Sequence, residues 1–260
     1  MRQMRSRLAP PVISVERVAD ELRKMLMSDR PRLAMELLDA GGLLELILPE
    51  VAACKGVAQT GFHTHDVYGH TLLTVERVPA DLVLRLAALF HDVGKPSTAT
   101  ADGAFPGHEL VGAQLARSAL ERLRFSQKEI EPVFDLVRLH LRPVYYSSEW
   151  TDGAVRRLAR DAGGQLGRLI ALARADIAAS AYPEPEKLDG LQARIDAVLS
   201  EKPSRLAPLV SGEDVMRVRG IAPGPEVGRI KQRLEELVID GEIPANREAA
   251  IEYLAQHPDF

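Results

Sequence analysis

The chain has 260 residues, of which 46% are hydrophobic and 27% charged, with a formal net charge of -4 and one cysteine. This apolar content suffices for one large or two modest domains, so disorder over the whole chain is excluded. The slight acidity provides no global attraction to nucleic acid or to an anionic membrane, and a single cysteine excludes an internal disulfide framework.

The sequence carries no pattern of a targeting or membrane segment. No window approaches 18 uncharged apolar residues, and the arginines near the N-terminus precede no apolar stretch. We therefore expect no secretory signal, no membrane span and a cytoplasmic location. Cys54 lies among apolar neighbours and is predicted to be buried, which argues against a catalytic thiol.

The first 61 residues are predicted to form short helices after a basic N-terminal tail. Ser14 is a candidate N-cap for a helix that reaches residue 27, and Pro31 suits the start of a second. A third is predicted over residues 43–48, stopping at Pro49. Because each helix is too short to be stable alone, we expect them to form a collar on a larger domain.

The predicted central helix, residues 82–90, ends at adjacent polar residues. It is apolar nearly all round, with Arg85 as its only interior charge, and is therefore expected to be buried. His91 and Asp92 follow it directly, and Gly94 is a residue at which a helix would stop. A buried helix thus delivers an imidazole and a carboxylate to one point.

Helical patterns continue on both sides of this segment. The apolar period is 3.6 residues nearly throughout, and β-branched residues are scattered, so we predict an all-α protein. A Pro-rich linker is predicted at residues 182–186, followed by further short helices that end near residue 256. The other predicted helices cover residues 66–78, 108–124, 127–141, 151–161 and 166–181, with a loop or small hairpin at 98–105.

Histidine and aspartate residues recur at the ends or within the apolar runs of these helices. Imidazole nitrogens and carboxylate oxygens suit a borderline or hard divalent ion, while the lack of thiolates argues against a structural zinc site. The candidate ligands are His70, His91, Asp92, His108, His140 and Asp176.

This ordered series, spread over residues 62–182, resembles the HD superfamily of metal-dependent phosphohydrolases. The resemblance implies an HD-domain helical bundle at residues 62–183 and one or two divalent ions: Mn, Ni, Co, Fe, Zn or Mg. It implies that the first ion is held by His70, His91, Asp92 and Asp176. His108 and His140 would hold the second ion, with Asp92 bridging the two.

Three neighbouring residues are candidates for supporting roles. Lys95, three residues after Asp92, is predicted to stabilise a phosphoryl transition state, and both are predicted to be catalytic. Arg142 is a weaker candidate for phosphate contact. Asp66 lies four residues before His70, so it either orients that imidazole or interacts with the N-terminal dipole of its own helix.

A more specific resemblance covers about residues 12–256. Residues 14–22, 43–50, 66–72, 211–214 and 223–228 look like the C-terminal half of bacterial tRNA nucleotidyltransferases that carry an HD domain. Residues 184–260 would form the small C-terminal helical tail of that half. Because residues before Ser14 do not encode a nucleotidyltransferase head, we do not expect nucleotide addition.

The resemblance implies hydrolysis of phosphoesters of nucleotides or RNA 3′ ends, of the 2′,3′-cyclic phosphodiesterase, 2′-nucleotidase or phosphatase type. One alternative is a noncatalytic tRNA-binding partner of a separately encoded nucleotidyltransferase. This alternative is supported by the C-terminal tail and by residues 115–175, which contain eleven Arg or Lys residues and seven acidic residues.

A nucleotide triphosphohydrolase or a deaminating relative is a third hypothesis. The sequence leaves the oligomeric state open.

Overall fold

A computed structural model describes residues 13–59, 64–181, 186–200, 210–239 and 241–258. Regular structure in these ranges is helical, and they contain no strand, which confirms the all-α prediction. None of their helices is long and apolar enough to cross a bilayer. The predicted N-terminal tail and nearly all of the predicted linker at 182–186 lie outside the described residues.

Four short helices open the described chain. Ser14 caps the first, because its hydroxyl accepts a hydrogen bond from the Arg17 backbone N–H at 3.4 Å. Pro49 was predicted to stop the third helix but instead begins the fourth, a position at which its missing N–H costs nothing. The helices are α1 Val15–Met27, α2 Pro31–Ala40, α3 Leu44–Ile47 and α4 Pro49–Ala52.

The next group of helices forms a bundle around one buried member, α6. Its residues 84–90 are all buried, and α1, α5, α8, α9 and α12 each contact it. The group comprises α5 Val67–Arg77, α6 Leu82–Phe90, α7 Lys95–Thr98, α8 His108–Arg122, α9 Gln127–Leu139, α10 Leu141–Val144 and α12 Leu166–Ala179.

The helix predicted over residues 127–141 ends earlier than expected. Helix α9 stops at Leu139, and Arg142 and Pro143 lie within the short helix α10 instead of terminating the run. Pro143 has no N–H to bond the carbonyl of Leu139, so the hydrogen-bond ladder of α9 cannot continue. The break leaves His140 at the junction between the two helices.

The chain divides into two compact units. The first consists of residues up to 145 and residues 162–188, and the second of residues 146–161 and 189–260. The second unit has its own apolar core, which includes Val215, Leu234 and Leu254.

The predicted division into domains at residues 61 and 183 stays a prediction. The remaining helices are α11 Asp152–Ala162, α13 Lys187–Ser200, α14 Gly212–Arg219, α15 Pro225–Ile239 and α16 Arg247–Gln256.

Cys54 is buried, as predicted, and its thiol lies 3.6 Å from the backbone oxygen of Glu50. Burial raises the pKa of this thiol to about 12. The side chain is therefore protonated at neutral pH and serves as a small apolar group of the core.

Arg85, the only charged residue inside α6, connects the central helix to the C-terminal end of α1 by hydrogen bonds. Its buried guanidinium donates to the backbone oxygens of Leu26 and Ser28, the latter at 2.9 Å. Burial lowers the pKa of Arg85. Carbonyls at a helix C-terminus lack partners within the helix and carry a partial negative charge, so they stabilise this cation.

Replacing Arg85 by methionine should lower the free energy of unfolding by about 2 kcal/mol, because the terminal carbonyls of α1 lose their donors. Urea denaturation followed by circular dichroism measures this. Arg77→Met, which removes an exposed charge from α5, is the matched control and should change stability by less than about 0.5 kcal/mol. Equal effects of the two substitutions would contradict the role given to Arg85.

Candidate metal centre

The six predicted ligands come together inside the first compact unit, and all six are buried. They fall into two groups whose ligand atoms lie within 4.8 Å of one another. The first group is His70, His91 and Asp92, and the second is Asp92, His108 and His140. Asp176 joins the first, because its Oδ1 lies 3.0 Å from His70 Nε2 and 4.0 Å from His91 Nε2.

Asp92 belongs to both groups because each of its carboxylate oxygens faces a different pair of imidazoles. Its Oδ2 lies 3.2 Å from His91 Nε2 and 3.7 Å from His70 Nε2. Its Oδ1 lies 3.3 Å from His108 Nε2 and 3.8 Å from His140 Nε2. Such a carboxylate can bridge two cations or serve either one alone.

Three of the four imidazoles are oriented by hydrogen bonds to the backbone of their own turn. The Nδ1 atoms of His91, His108 and His140 lie 2.8, 2.8 and 2.7 Å from the carbonyl oxygen three residues earlier. A carbonyl only accepts, so each Nδ1 carries the proton in the neutral ring and each Nε2 presents a lone pair. These bonds are the usual support of metal-binding histidines.

The charges in the cluster favour a cation. Burial would raise the pKa of the Asp92 carboxyl, but His91 and Lys95 hold it well below its ordinary value. Burial opposes protonation of His91, yet Asp92, Asp176 and the Ala88 carbonyl together outweigh it and raise the pKa of that imidazole. Burial lowers the pKa of His140 to about 3, so this ring is neutral. The carboxylates stay ionised in the interior and require positive charge beside them.

A divalent ion fits these groups on two counts. His108 Nε2 is buried and makes no hydrogen bond, although it lies 3.3 Å from an Asp92 oxygen, so two acceptors face each other there. A cation between acceptors satisfies both, and the mixed nitrogen and oxygen donor set suits a borderline or hard ion. The cluster can therefore hold a divalent metal.

Gly94 is required for a reason other than the predicted helix stop. Its φ of -77° is open to any residue, and α7 begins directly after it. A Cβ at this position would lie 2.1 Å from the backbone oxygen of His108 and 2.8 Å from the backbone nitrogen of Gly112. The absence of a side chain lets the turn after α6 pack against the backbone of α8, which brings Asp92 to His108.

A cleft of about 260 Å³ opens onto the second group of ligands. Among the predicted ligands, Asp92, His108, His140 and Asp176 line it, whereas His70 and His91 are not part of its lining. The other lining residues are Gln59, Lys95, Gly103, Ala104, Phe105, Leu141, Val144 and Tyr145.

Asp92, Lys95, His108, His140 and Asp176 form the ionisable part of this lining, which we call the floor of the cleft. Lys95 contacts the central carboxylate. Its Nζ donates to Asp92 Oδ2 at 2.7 Å and to Gln59 Oε1 at 2.6 Å. An ammonium group has three N–H donors, so one remains for a further acceptor. Arg142, the other predicted phosphate contact, is half-buried on α10 and does not line the cleft, since its neighbour Leu141 takes that position.

Asp66 caps helix α5. Its two carboxylate oxygens accept the backbone N–H groups of Gly69 at 2.8 Å and Gly56 at 2.7 Å, contacts of the kind that the N-terminal role predicts. A role in orienting His70 stays a prediction. Ser180, whose hydroxyl lies 3.5 Å from His70 Nδ1, was missed. Ser180 follows Asp176 by four residues, and this spacing indicates that the two side chains share a helix face. Gln59, which accepts a hydrogen bond from Lys95, was also missed, because no sequence pattern connects it to the ligands.

Most of the basic residues between 115 and 175 are paired with acidic side chains. Seven of the eleven have a nitrogen within 4 Å of a carboxylate oxygen, so most of their charge is compensated locally. These seven are Arg117, Arg122, Arg124, Arg138, Arg157, Arg160 and Arg168.

Comparison with known families assigns two regions of the chain. Residues 56–181 match the HD domain, and residues 1–55 match the family described as the probable RNA and SrmB-binding site of polymerase A. All six candidate ligands lie within residues 56–181, the region that matches the HD domain.

Curated relatives cover most of the chain. It is 36% identical over 254 residues to the A-adding tRNA nucleotidyltransferase of Deinococcus radiodurans, covering 92% of this chain and 58% of the relative. It is 38% identical over 244 residues to the CC-adding tRNA nucleotidyltransferase of Thermus thermophilus, covering 90% of this chain and 55% of the relative. The chain thus spans little more than half the length of these relatives.

Substituting Gly94 by alanine should lower the free energy of unfolding by more than about 3 kcal/mol, because the added methyl collides with backbone atoms that cannot rotate away. Thermal or chemical denaturation measures the loss. Gly167→Ala on α12, where a Cβ meets nothing within 4 Å, is the control and should be neutral or slightly stabilising. An equally stable Gly94→Ala variant would contradict the close packing of α6 and α8.

Proposed function

Residues 56–181 of this chain are an HD domain, and on that premise we propose that the chain is a metal-dependent phosphohydrolase. Its substrates are phosphoesters of nucleotides or of RNA 3′ ends, cleaved as a 2′,3′-cyclic phosphodiesterase, a 2′-nucleotidase or a phosphatase. The observation that supports this most is the position of Asp92, with one oxygen toward His70 and His91 and the other toward His108 and His140.

We propose that the cluster holds two divalent ions. His70, His91, Asp92 and Asp176 would hold the first, and His108 and His140 the second, with Asp92 shared. When bound, such an ion supplies Lewis acidity and lowers the pKa of coordinated water, the chemistry that phosphoester hydrolysis requires. Mn, Ni, Co, Fe, Zn and Mg are all compatible with nitrogen and oxygen ligands.

The residues of the chain supply positioning and charge. Asp92 stays ionised in a buried site and therefore provides a fixed negative charge on the floor of the cleft. Lys95 beside it has one N–H to donate to a phosphoryl oxygen, where its positive charge stabilises charge that accumulates in the transition state. The four histidines lie within helices or at their ends, and backbone hydrogen bonds orient three of the rings, so this arrangement is pre-organised.

A metal-free preparation supplied with Mn, Ni, Co, Fe, Zn or Mg should hydrolyse adenosine 2′,3′-cyclic phosphate. Asp92→Asn keeps the shape of the side chain and removes its charge, so it should lose bound metal and reduce kcat/KM by about 100-fold or more. Metal analysis and product release measure both effects. His65→Gln, an exposed imidazole outside the cleft, is the matched control. No turnover with any ion would rule out the hydrolase.

The second candidate, a noncatalytic tRNA-binding partner of a nucleotidyltransferase, is favoured by a different observation. Residues 1–55 match an RNA-binding family, and the relatives of this chain are named as tRNA nucleotidyltransferases. A noncatalytic tRNA-binding protein needs no hydrolytic centre. Its affinity for RNA would come largely from contacts with phosphates.

If this second function holds, tRNA should bind at 50 mM salt and lose roughly 10- to 1,000-fold in affinity at 200 mM, because counterions compete for the phosphates. Filter binding or fluorescence anisotropy measures the slope. Asp92→Asn should bind tRNA as the unmodified chain does, which separates RNA binding from hydrolysis. No binding at low salt would eliminate this candidate.

A further inference from the structure

The cleft has two chemically different parts. Its floor carries the ionisable groups Asp92, Lys95, His108, His140 and Asp176. The rest of its lining is largely apolar and includes the aromatic residues Phe105 and Tyr145 together with Leu141 and Val144. A phosphate group would contact only the polar part of the cleft. The apolar part therefore suits a second, apolar portion of the same ligand.

The two aromatic residues are tied to the histidines of the second group. The carbonyl of Phe105 accepts the Nδ1–H of His108 at 2.8 Å. Tyr145 is the C-cap of the short helix α10, which begins directly after His140, and its backbone N–H donates to the Leu141 carbonyl at 3.0 Å. Both aromatic residues are thus held by backbone bonds at fixed places relative to the reactive end of the cleft.

Tyr145 is unusual among the large apolar side chains of the described ranges. It is 68% exposed although it lines the cleft, whereas the next residue, Tyr146, is buried. Phe105 is half-buried, and its ring lies 5.6 Å from Lys95 Nζ, so this ring already helps to position the ammonium. Tyr145 therefore presents an exposed aromatic surface at the cleft. Unlike Phe105, its ring does not pack against the Lys95 ammonium.

We propose that Tyr145 stacks on the base of a nucleotide whose phosphoester lies on the floor of the cleft, so that the site selects nucleotides over other phosphoesters. The inference rests on the proposed hydrolase and names its specificity residue. Every nucleobase offers a flat π-face, and stacking on an aromatic side chain is tolerant of base identity. The cleft volume of about 260 Å³ lies near the lower limit for ligand pockets, which suits one terminal nucleotide.

The test compares ligands with and without a base. Binding of adenosine 5′-monophosphate and of ribose 5-phosphate is measured by calorimetry, and hydrolysis of adenosine 2′,3′-cyclic phosphate is compared with that of methyl ribofuranoside 2′,3′-cyclic phosphate. We expect the unmodified chain to prefer the base-containing member of each pair. Tyr145→Ala should lower that preference about tenfold or more. Tyr145→Phe keeps the ring and should retain the preference.

Leu37→Ala is the control for loss of an exposed apolar side chain, because Leu37 is 63% exposed on α2 and lies outside the cleft. It should retain the full preference. Equal affinity of the unmodified chain for both members of each pair would overturn the inference and leave the hydrolase standing. A preference that Tyr145→Ala does not reduce would also overturn it. If no ligand binds and no substrate is cleaved, the proposed function falls and this inference with it.

Discussion

The buried carboxylate of Asp92 is the constraint on which the site depends. Its side chain is 2% exposed, and ionised oxygens at that depth are stable only with positive charge or strong donors beside them. His91 and Lys95 supply part of this requirement, since they hold the Asp92 pKa well below its ordinary value. The further imidazoles on both sides of this carboxylate present lone pairs, so a cation held between them and Asp92 would supply the remaining positive charge.

The fold meets this constraint through close packing. Helix α6 is buried from residue 84 to its end, so the residues that follow it enter the interior of the bundle, where α5, α8, α9 and α12 meet. The backbone contact between Gly94 and His108 brings α8 close to Asp92. Hydrogen bonds from Nδ1 atoms to backbone carbonyls then fix the orientation of His91, His108 and His140. Ligands on separate helices thus acquire a fixed geometry without help from flexible loops.

The HD match covers the candidate ligands and also the other residues that line the cleft. A fold alone does not determine a substrate. The lining beyond the ligands includes Phe105 and Tyr145, which lie close in sequence to His108 and His140. The matched regions make up 58% and 55% of the relatives named as tRNA nucleotidyltransferases, so the names of those relatives do not identify the substrate of the cleft.

The sequence by itself determined the features that depend on local patterns. The cap at Ser14 and the burial of residues 84–90 follow from capping residues and the apolar period, and the ligand series was proposed from its resemblance to the HD superfamily. Only the tertiary structure decided which atoms meet: Asp66 binds backbone N–H groups, Arg142 stays out of the cleft, and Gly94 is needed for contact with α8. The physical reason is that periodicity encodes which face of a helix is apolar, whereas the partner of a polar side chain comes from elements distant in the chain.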